Sequence, residues 1–410
     1  MEMITNIDQG LRLAMRHYNE GQSDAGDTIC EQVLGVAPGH PIAATLLARS
    51  EHRQGKIEAA KAHVSEALQS APLYPPALDL KARLMLEAKE PTTIRAAFQR
   101  AILNFPANFD MMFEFATWLQ TGGEEAHIHA AIKLYRAAER IRANNEALET
   151  NLAAALLKDR QDEVALQICE RALERNPRNI RARAFYVSAQ FNVGETAKAE
   201  EQVGWQSLTR PLAFPVPEGF ADIQSFNAAF AKALREHPLR QEDWDPNLRA
   251  IRGGSFIPDI LDSPDPAIRS FRESLNQAVE AYRGSLPNTP DHPHIAAIPK
   301  SVEVISWGNI LESGGHQSGH VHNLGWLSGV YYVEMPPVVS EDDPQHEGWI
   351  EFNRPGYGIP ASGRESLHVI APKEGMLVVF PSYVWHRTIP FSGEGERISV
   401  AFDLYPASGT

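Results

Sequence analysis

Apolar and small residues follow two different patterns along the chain. In the first half Pro38, Pro72 and Pro106 are spaced 34 residues apart. Two segments of that half share steps of 12, 7 and 5 residues, and these are Ala48, Ala60, Ala67 and Pro72, and Ala153, Ala165, Ala172 and Pro177. This period predicts two antiparallel helices per unit, with alanines where the helices approach closely and a proline after the second helix.

Helix pairs of this kind stack on one another, because a single pair cannot bury its apolar face. Residues 1–208 are therefore expected to form an all-α solenoid of roughly six pairs. Two units are irregular: Glu90-Pro91 replaces a glycine turn, and Gly122-Gly123-Glu124-Glu125 lengthens the next unit. The pattern resembles the tetratricopeptide repeat over about half of the chain. We expect the repeats to bind a protein or peptide partner or substrate; homodimer formation and packing on the chain's own catalytic domain are the alternatives.

The second half begins with a proline-rich connector at residues 209–220. Residues 221–300 are expected to hold two amphipathic helices, Phe226–His237 and Pro264–Tyr282, and residues 301–406 a barrel. Runs rich in β-branched and aromatic residues are predicted as strands, and these are Val302–Leu311, Leu327–Val333, Trp349–Asn353, Met376–Phe380 and Ile398–Tyr405. Strands without intervening helices predict an antiparallel sandwich or barrel, with the two helices over one face.

Composition and charge exclude several classes of protein. The net charge of -14 argues against broad nucleic-acid binding, which needs a basic surface. No apolar run is long enough for a membrane span, and the first residues lack a signal-peptide pattern. The two cysteines, Cys30 and Cys169, fall at small buried positions of the repeats, so we expect free thiols in a reducing cytoplasm.

Three histidines in the barrel region are candidate metal ligands. His320 and His322 are one residue apart, so on an extended segment their imidazoles point to the same side. His386 lies 64 residues after His322, at the end of a predicted strand and loop. The alternative is a pair of exposed loop histidines and a structural His386. Together they have the order of a non-haem iron site in a jelly-roll barrel, so we assign all three as metal ligands and catalytic residues.

An arginine 11 residues past His386 is a candidate anion-binding residue. Arg397 and Ser399 share one face of a predicted strand, and a guanidinium with a nearby hydroxyl suits a carboxylate. Tyr332 can add a phenol, and Asn309 is assigned to the same cofactor-binding group. A buried arginine needs an anion, so the alternative is an internal salt bridge with Glu394 or Glu396.

Residues from Trp307 to Tyr405 resemble the 2-oxoglutarate/Fe(II)-dependent dioxygenases, with Ser-Gly-Val-Tyr-Tyr and Glu-Arg-Ile-Ser motifs like those of a bacterial oxygenase family. The resemblance implies a double-stranded β-helix with flanking helices, and hence a multidomain α plus β protein. It implies Fe(II) and 2-oxoglutarate as cofactors, and hydroxylation of an unactivated C–H bond. His320 and His386 match the two histidine ligands; Arg397 and Ser399, with Tyr332, match the carboxylate-binding group.

His322 departs from this family, because it stands where an aspartate or glutamate ligand belongs. His322 can bind the metal, or stand away from it and leave two histidines and a water. It can also be the first ligand, with a carboxylate such as Glu351 or Asp403 supplied from elsewhere. We favour ligation by His322. Nitrogen ligands also admit Zn, Ni or Cu, so the identity of the metal stays open.

Two other functions compete with the oxygenase. One is a cupin-like metal dioxygenase without 2-oxoglutarate, although no glutamate closely follows His322 and Arg397 would have no evident role. The other is a non-catalytic repeat scaffold with a degenerate barrel. The repeats favour a protein or peptide substrate, by analogy with repeat-bearing protein hydroxylases, and a small-molecule substrate stays open.

Overall fold

The computed structural model describes residues 7–19, 22–72, 74–87, 102, 107–121, 125–242 and 250–407. The chain divides into two units, Met1–Leu148 and Glu149–Thr410. The predicted boundaries near residues 208 and 220 differ from this division and stay predictions. Among the helices that the structure describes, none combines the length and apolar character of a transmembrane span.

The first unit consists of helices that pack as consecutive antiparallel pairs. They are α1 (Ile7–Asn19), α2 (Ser23–Val36), α3 (Pro41–Arg53), α4 (Ile57–Ser70), α5 (Pro75–Glu87), α6 (Phe109–Thr121) and α7 (Glu125–Ile141). Ala48 and Ala60 are fully buried in one cluster between α3, α4 and α5, which confirms alanine at the close approaches. The segment predicted as the second helix of the third pair, with Glu90-Pro91 and Pro106, lies outside the described residues, except for residue 102, and so do residues 122–124 of the predicted insertion.

The second unit begins with two more helix pairs. Its repeat helices are α8 (Glu146–Lys158), α9 (Asp162–Arg175), α10 (Ile180–Val193) and α11 (Thr196–Val203). Ala153, Ala165 and Ala172 are buried here, as their shared spacing predicts. Cys169, like Cys30 in the first unit, is a buried free thiol. The prediction of an N-terminal helical solenoid is confirmed.

Antiparallel sheets form the rest of the second unit. The strands are β1 (Arg210–Leu212), β2 (Ile251–Arg252), β3 (Ser255–Ile257), β4 (Val302–Leu311), β5 (His316–Gln317), β6 (Leu327–Glu334), β7 (Ile350–Phe352), β8 (His368–Ile370), β9 (Leu377–Pro381), β10 (His386–Thr388) and β11 (Arg397–Pro406). The major sheet has the order β1-β9-β6-β11-β4-β3, and the minor sheet β10-β7-β8. From β4 onward the chain passes repeatedly between the sheets, which is the strand order of a jelly roll, or double-stranded β-helix.

The two faces of the major sheet have different surroundings. Alternate residues of β6, β9 and β11, such as Tyr331, Val379 and Phe402, pack against helices α12 (Ile223–Arg235) and α13 (Pro266–Gly284). The intervening residues point into the barrel. Both predicted helices are therefore confirmed as cover for one face, and the opposite face is left for the candidate site.

The segment predicted as a connector is partly a strand. Arg210–Leu212 pairs with Leu377–Val379 and extends the major sheet by β1. Pro211 fits this edge position, because an edge strand leaves every second amide unpaired. The proline-rich stretch thus contributes to the barrel as well as linking it to the repeats.

Candidate functional site

The three histidines converge at one end of the barrel. His320 and His386 exchange backbone hydrogen bonds of 3.1 and 3.2 Å as an isolated antiparallel bridge, and the His322 amide donates to the Ser382 carbonyl at 3.1 Å. The ring centroids are 4.3 Å apart for His320 and His386, 4.9 Å for His322 and His386, and 5.1 Å for His320 and His322. One ring nitrogen from each lies within 4.8 Å of the others, which is close enough for a single metal ion.

Each imidazole has an acceptor for its Nδ1 atom. His320 Nδ1 lies 2.7 Å from the Ser318 carbonyl, and His386 Nδ1 lies 3.1 Å from the Val384 carbonyl. His322 Nδ1 lies 2.5 Å from a carboxylate oxygen of Asp403. A proton held on Nδ1 leaves the lone pair on Nε2, so these contacts set the tautomer and ring orientation that a metal requires.

Burial keeps two of the rings neutral. It lowers the pKa of His320 to about 3, with a further contribution from His322. Burial, followed by the two neighbouring histidines, holds the pKa of His386 well below its usual value. Since only an unprotonated imidazole can bind a metal, both rings are ready to do so at neutral pH.

The two carboxylates considered as alternative ligands are engaged elsewhere. Asp403 faces the Nδ1 side of His322, away from the nitrogen left for a metal. Glu351 accepts hydrogen bonds from Arg354 and Arg387, at 2.5 and 2.7 Å for the closest contacts. Burial alone would raise the pKa of Glu351, but these two arginines outweigh it and hold the pKa below its usual value. Within the described ranges, the metal-competent group consists of the three histidines.

The candidate anion site lies in one row across three strands of the major sheet. Ser399 on β11 pairs with Asn309 on β4 and with Tyr332 on β6, so the three side chains point the same way. Arg397 lies two residues earlier on β11 and is 1% exposed. Its Nε donates to the Gly348 carbonyl at 3.0 Å, its Nη1 donates to Ser399 Oγ at 3.4 Å, and its Cζ lies 5.1 Å from the Tyr332 ring centroid.

Several polar groups of this row lack a partner. The Tyr332 hydroxyl and both amide atoms of Asn309 are buried without a hydrogen bond. No carboxylate of the described residues lies within 4.0 Å of Arg397, because Glu396 pairs with Arg235 at 2.7 Å. Burial raises the pKa of Tyr332 to about 12, so its hydroxyl stays a donor. A buried guanidinium beside unused donors is an incomplete anion site, and the carboxylate of a small molecule fits it.

One cavity joins the two groups. Its lining includes the three histidines, Tyr332 and Arg397. Apolar side chains such as Val330, Ile350 and Phe380 form its walls. A ligand that reaches the histidines at one end can therefore contact the guanidinium at the other.

A jelly roll with converging imidazoles in its interior is an architecture of mononuclear metal sites. Comparison with known families agrees: residues 305–403 match the model of the family described as "Putative 2OG-Fe(II) oxygenase". The matched segment includes the candidate metal residues and the candidate anion residues.

Solved structures similar to parts of the chain include two repeat proteins and one hydroxylase. A thermophilic tetratricopeptide-repeat protein from Thermus thermophilus is 19% identical, covering 45% of this chain and 98% of its own, with a TM-score of 0.37. The PilF protein of Pseudomonas aeruginosa is 16% identical, with coverages of 49% and 89% and a TM-score of 0.40. A prolyl-4-hydroxylase from Pseudomonas putida is 18% identical, with coverages of 51% and 98% and a TM-score of 0.34. A search of curated proteins returns no match.

The sequence analysis did not identify the hydrogen-bond network on the Nδ1 side of His322. Ser328 Oγ lies 2.6 Å from Asp403 Oδ1 and 2.8 Å from Ser382 Oγ, and this network supports His322. Asp403 pairs with Ser328 in the β11–β6 register. The alternation along each strand shows that Ser328 and Asp403 point into the barrel. It does not show the register between the two strands, which places these residues side by side.

Proposed function

We propose that the chain is a 2-oxoglutarate- and Fe(II)-dependent dioxygenase that hydroxylates an unactivated C–H bond. The observation that carries this proposal is a single cavity with three metal-competent histidines at one end and a buried arginine lacking a carboxylate at the other. When bound, iron and 2-oxoglutarate activate dioxygen, with release of succinate and carbon dioxide, for attack on the substrate C–H bond.

In this proposal His320, His322 and His386 hold the metal and leave positions open for ligands. Their neutral rings leave the ion's full dication charge, which favours a dianionic co-substrate. Arg397 binds the far carboxylate with help from Ser399, Tyr332 and Asn309. Val330, Ile350 and Phe380 keep bulk water from the space between.

We further propose a protein or peptide substrate. The last repeats lie against the loop that carries His386: Trp385 Nε1 donates to Ser188 Oγ at 2.9 Å, and the Tyr383 hydroxyl donates to the Gln202 carbonyl at 2.7 Å. A protein or peptide bound to this part of the repeats would lie close to the candidate metal site, which supports the proposal. In this arrangement the repeats also serve as a scaffold for the barrel.

An anaerobic titration with Fe(II) and then 2-oxoglutarate tests the co-substrate. The wild type is expected to develop the weak visible charge-transfer band of an iron-bound 2-oxo acid. Arg397→Gln should still bind Fe(II) but bind 2-oxoglutarate about 10- to 150-fold more weakly, as expected for one lost charge-assisted hydrogen bond. Arg283→Gln is the matched control, because Arg283 pairs with Glu280 on α13 and does not line the cavity.

The contrary outcomes separate the competing functions. Metal binding without any 2-oxoglutarate complex would replace this proposal by the cupin-like dioxygenase. A wild-type protein that binds no metal through its histidines would point to the non-catalytic scaffold. Competition among Fe(II), Zn(II), Ni(II) and Cu(II) in the same titration identifies the metal that the site prefers.

A further inference from the structure

We propose that Asp403 is a positioning residue that acts through His322 to supply the negative charge missing from a three-histidine metal site. This inference rests on the proposed function of the histidine cluster as a divalent-metal centre. It concerns how a histidine can occupy the place of a carboxylate ligand without loss of metal affinity.

The first observation is the placement of Asp403. It is 2% exposed, and its Oδ1 lies 2.5 Å from Nδ1 of His322. Ser328 Oγ donates to the same oxygen at 2.6 Å, and the Tyr405 hydroxyl donates to Oδ2 at 3.3 Å. Both carboxylate oxygens are therefore held, and the contact with His322 has little freedom to change.

The second observation is the lack of a cation. Among the described residues, no lysine or arginine lies within 4.0 Å of the Asp403 carboxylate, and its one recorded ion-pair contact is with His322. Burying a carboxylate without a counter-charge is costly. The other two histidines donate to backbone carbonyls, so His322 alone is joined to a charged group. A dication bound on the far side of the His322 ring would supply the missing positive charge.

With Asp403 included, the total charge of the three-histidine metal site equals that of a site with two histidines and one carboxylate. Three neutral imidazoles around a divalent ion leave a charge of +2, whereas two imidazoles and a carboxylate leave +1. Asp403 restores this local total of +1 through the ring of His322. A carboxylate that accepts from a ligand histidine also makes that histidine a stronger electron donor to the metal.

A double-mutant cycle tests the inference with the full-length protein and the metal alone. Fe(II) under anaerobic conditions and Co(II) are titrated against a competing chelator, without 2-oxoglutarate, for the wild type, Asp403→Asn, His322→Asp and the double variant. Asparagine can still accept from His322 Nδ1, so Asp403→Asn removes the charge but keeps the contact. We expect Asp403→Asn to weaken metal binding about 10- to 100-fold in the wild-type background and to shift the visible Co(II) bands.

In the His322→Asp background the loss should disappear. The aspartate at position 322 would itself supply the negative charge to the metal, so Asp403→Asn should leave metal binding nearly unchanged. Ser328→Ala removes a donor to Asp403 but keeps its charge, and should have little effect. Asp262→Asn, an exposed aspartate beside the helix-covered face, is the matched control.

Three results would overturn the inference. These are wild-type affinity in Asp403→Asn, an equal loss in both backgrounds, and a loss in Ser328→Ala as large as that in Asp403→Asn. A wild type that binds neither metal would instead refute the proposed function itself. Circular dichroism checks that each variant folds, and Asp403→Ser, which also removes the charge, takes the place of Asp403→Asn if that variant does not fold.

Discussion

At the scale of single residues, β6 places two neighbouring tyrosines in opposite surroundings. The Tyr331 hydroxyl donates to Asn227 Oδ1 at 2.7 Å, on the helix-covered face. The Tyr332 hydroxyl points into the barrel and is buried without a hydrogen bond. The Tyr332 proton has no acceptor among the described residues, and an unsatisfied buried donor costs about 1–3 kcal/mol.

Tyr332→Phe should therefore stabilise the ligand-free protein and weaken 2-oxoglutarate binding. We expect a gain of about 1 kcal/mol in the free energy of unfolding, and a smaller rise in melting temperature when 2-oxoglutarate is added with metal. Thermal unfolding with and without the co-substrate measures both effects. Tyr331→Phe is the matched control: it should lower stability and leave the co-substrate effect intact. A less stable Tyr332→Phe protein would show that the hydroxyl already has a partner in the ligand-free state.

The residues of the candidate site were partly predictable from the sequence. Residue spacing alone indicated His320, His322 and His386, because alternate residues on an extended segment share a side and the order of ligands is distinctive. Asp403 was considered only as an alternative metal ligand. Its contact with the back of His322 depends on the pairing of β11 with β6, and strand alternation does not determine a register between distant strands.

At the scale of elements, Gly329 allows β6 to lie close to its neighbours. Gly329 pairs with Phe402 of β11. A Cβ atom at Gly329 would overlap the Phe402 ring and lie 2.9 Å from the Val378 carbonyl oxygen. Phe402 is fully buried beneath the helices, so its ring has little room to move.

Gly329→Ala is expected to destabilise the protein by about 1–3 kcal/mol, because overpacking forces the ring or a strand to shift. Urea unfolding measures the loss. Gly284→Ala is the control, since nothing lies within 4 Å of a Cβ at that helix end. If both variants unfolded at the same urea concentration, close packing at β6 would not be the reason that position 329 requires glycine.

Long elements were more predictable than short ones. The prediction for β4 over Val302–Leu311 is confirmed residue for residue, whereas β6 is one residue longer than predicted at one end and β11 is one residue longer at each end. The two-residue strands β2 and β5 are too short to show an alternation. The segment before His386 was predicted as a loop ending in the histidine, whereas His386 itself begins β10.

At the scale of the whole molecule, the last repeats and the barrel share one unit, Glu149–Thr410. Phe185 packs on Trp385, and the polar contacts that join the repeats to the barrel include Trp385 to Ser188, Tyr383 to Gln202, Arg364 to Asn192 and His368 to Glu200. Packing of the repeats on the chain's own domain is only one of the alternatives open from the sequence, because a repeat alone does not show whether its surface contacts a partner or its own chain.

A comparison of two fragments tests whether the barrel folds as a stable unit without the last repeats. A fragment of residues 143–410 keeps α8 whole, including the cap of Asn145 Oδ1 on the Leu148 amide, and should unfold cooperatively and bind metal. A fragment of residues 221–410, cut at the boundary expected from the sequence, loses the hydrogen-bond partners of Tyr383 and Trp385. It also loses β1, which leaves the edge of β9 unpaired and open to aggregation.

We expect the shorter fragment to lose at least about 3 kcal/mol of stability, from the hydrogen bonds of Tyr383, Trp385 and Arg364 to the repeats at about 1 kcal/mol each and from the newly exposed apolar surface. Metal affinity should fall with it, because Trp385 immediately precedes His386 and its anchor on α10 is gone. Thermal unfolding and metal titration of both fragments give the comparison. Equal melting temperatures and equal metal affinities would make the barrel independent of the repeats, and the repeats would then be free to serve partner binding alone.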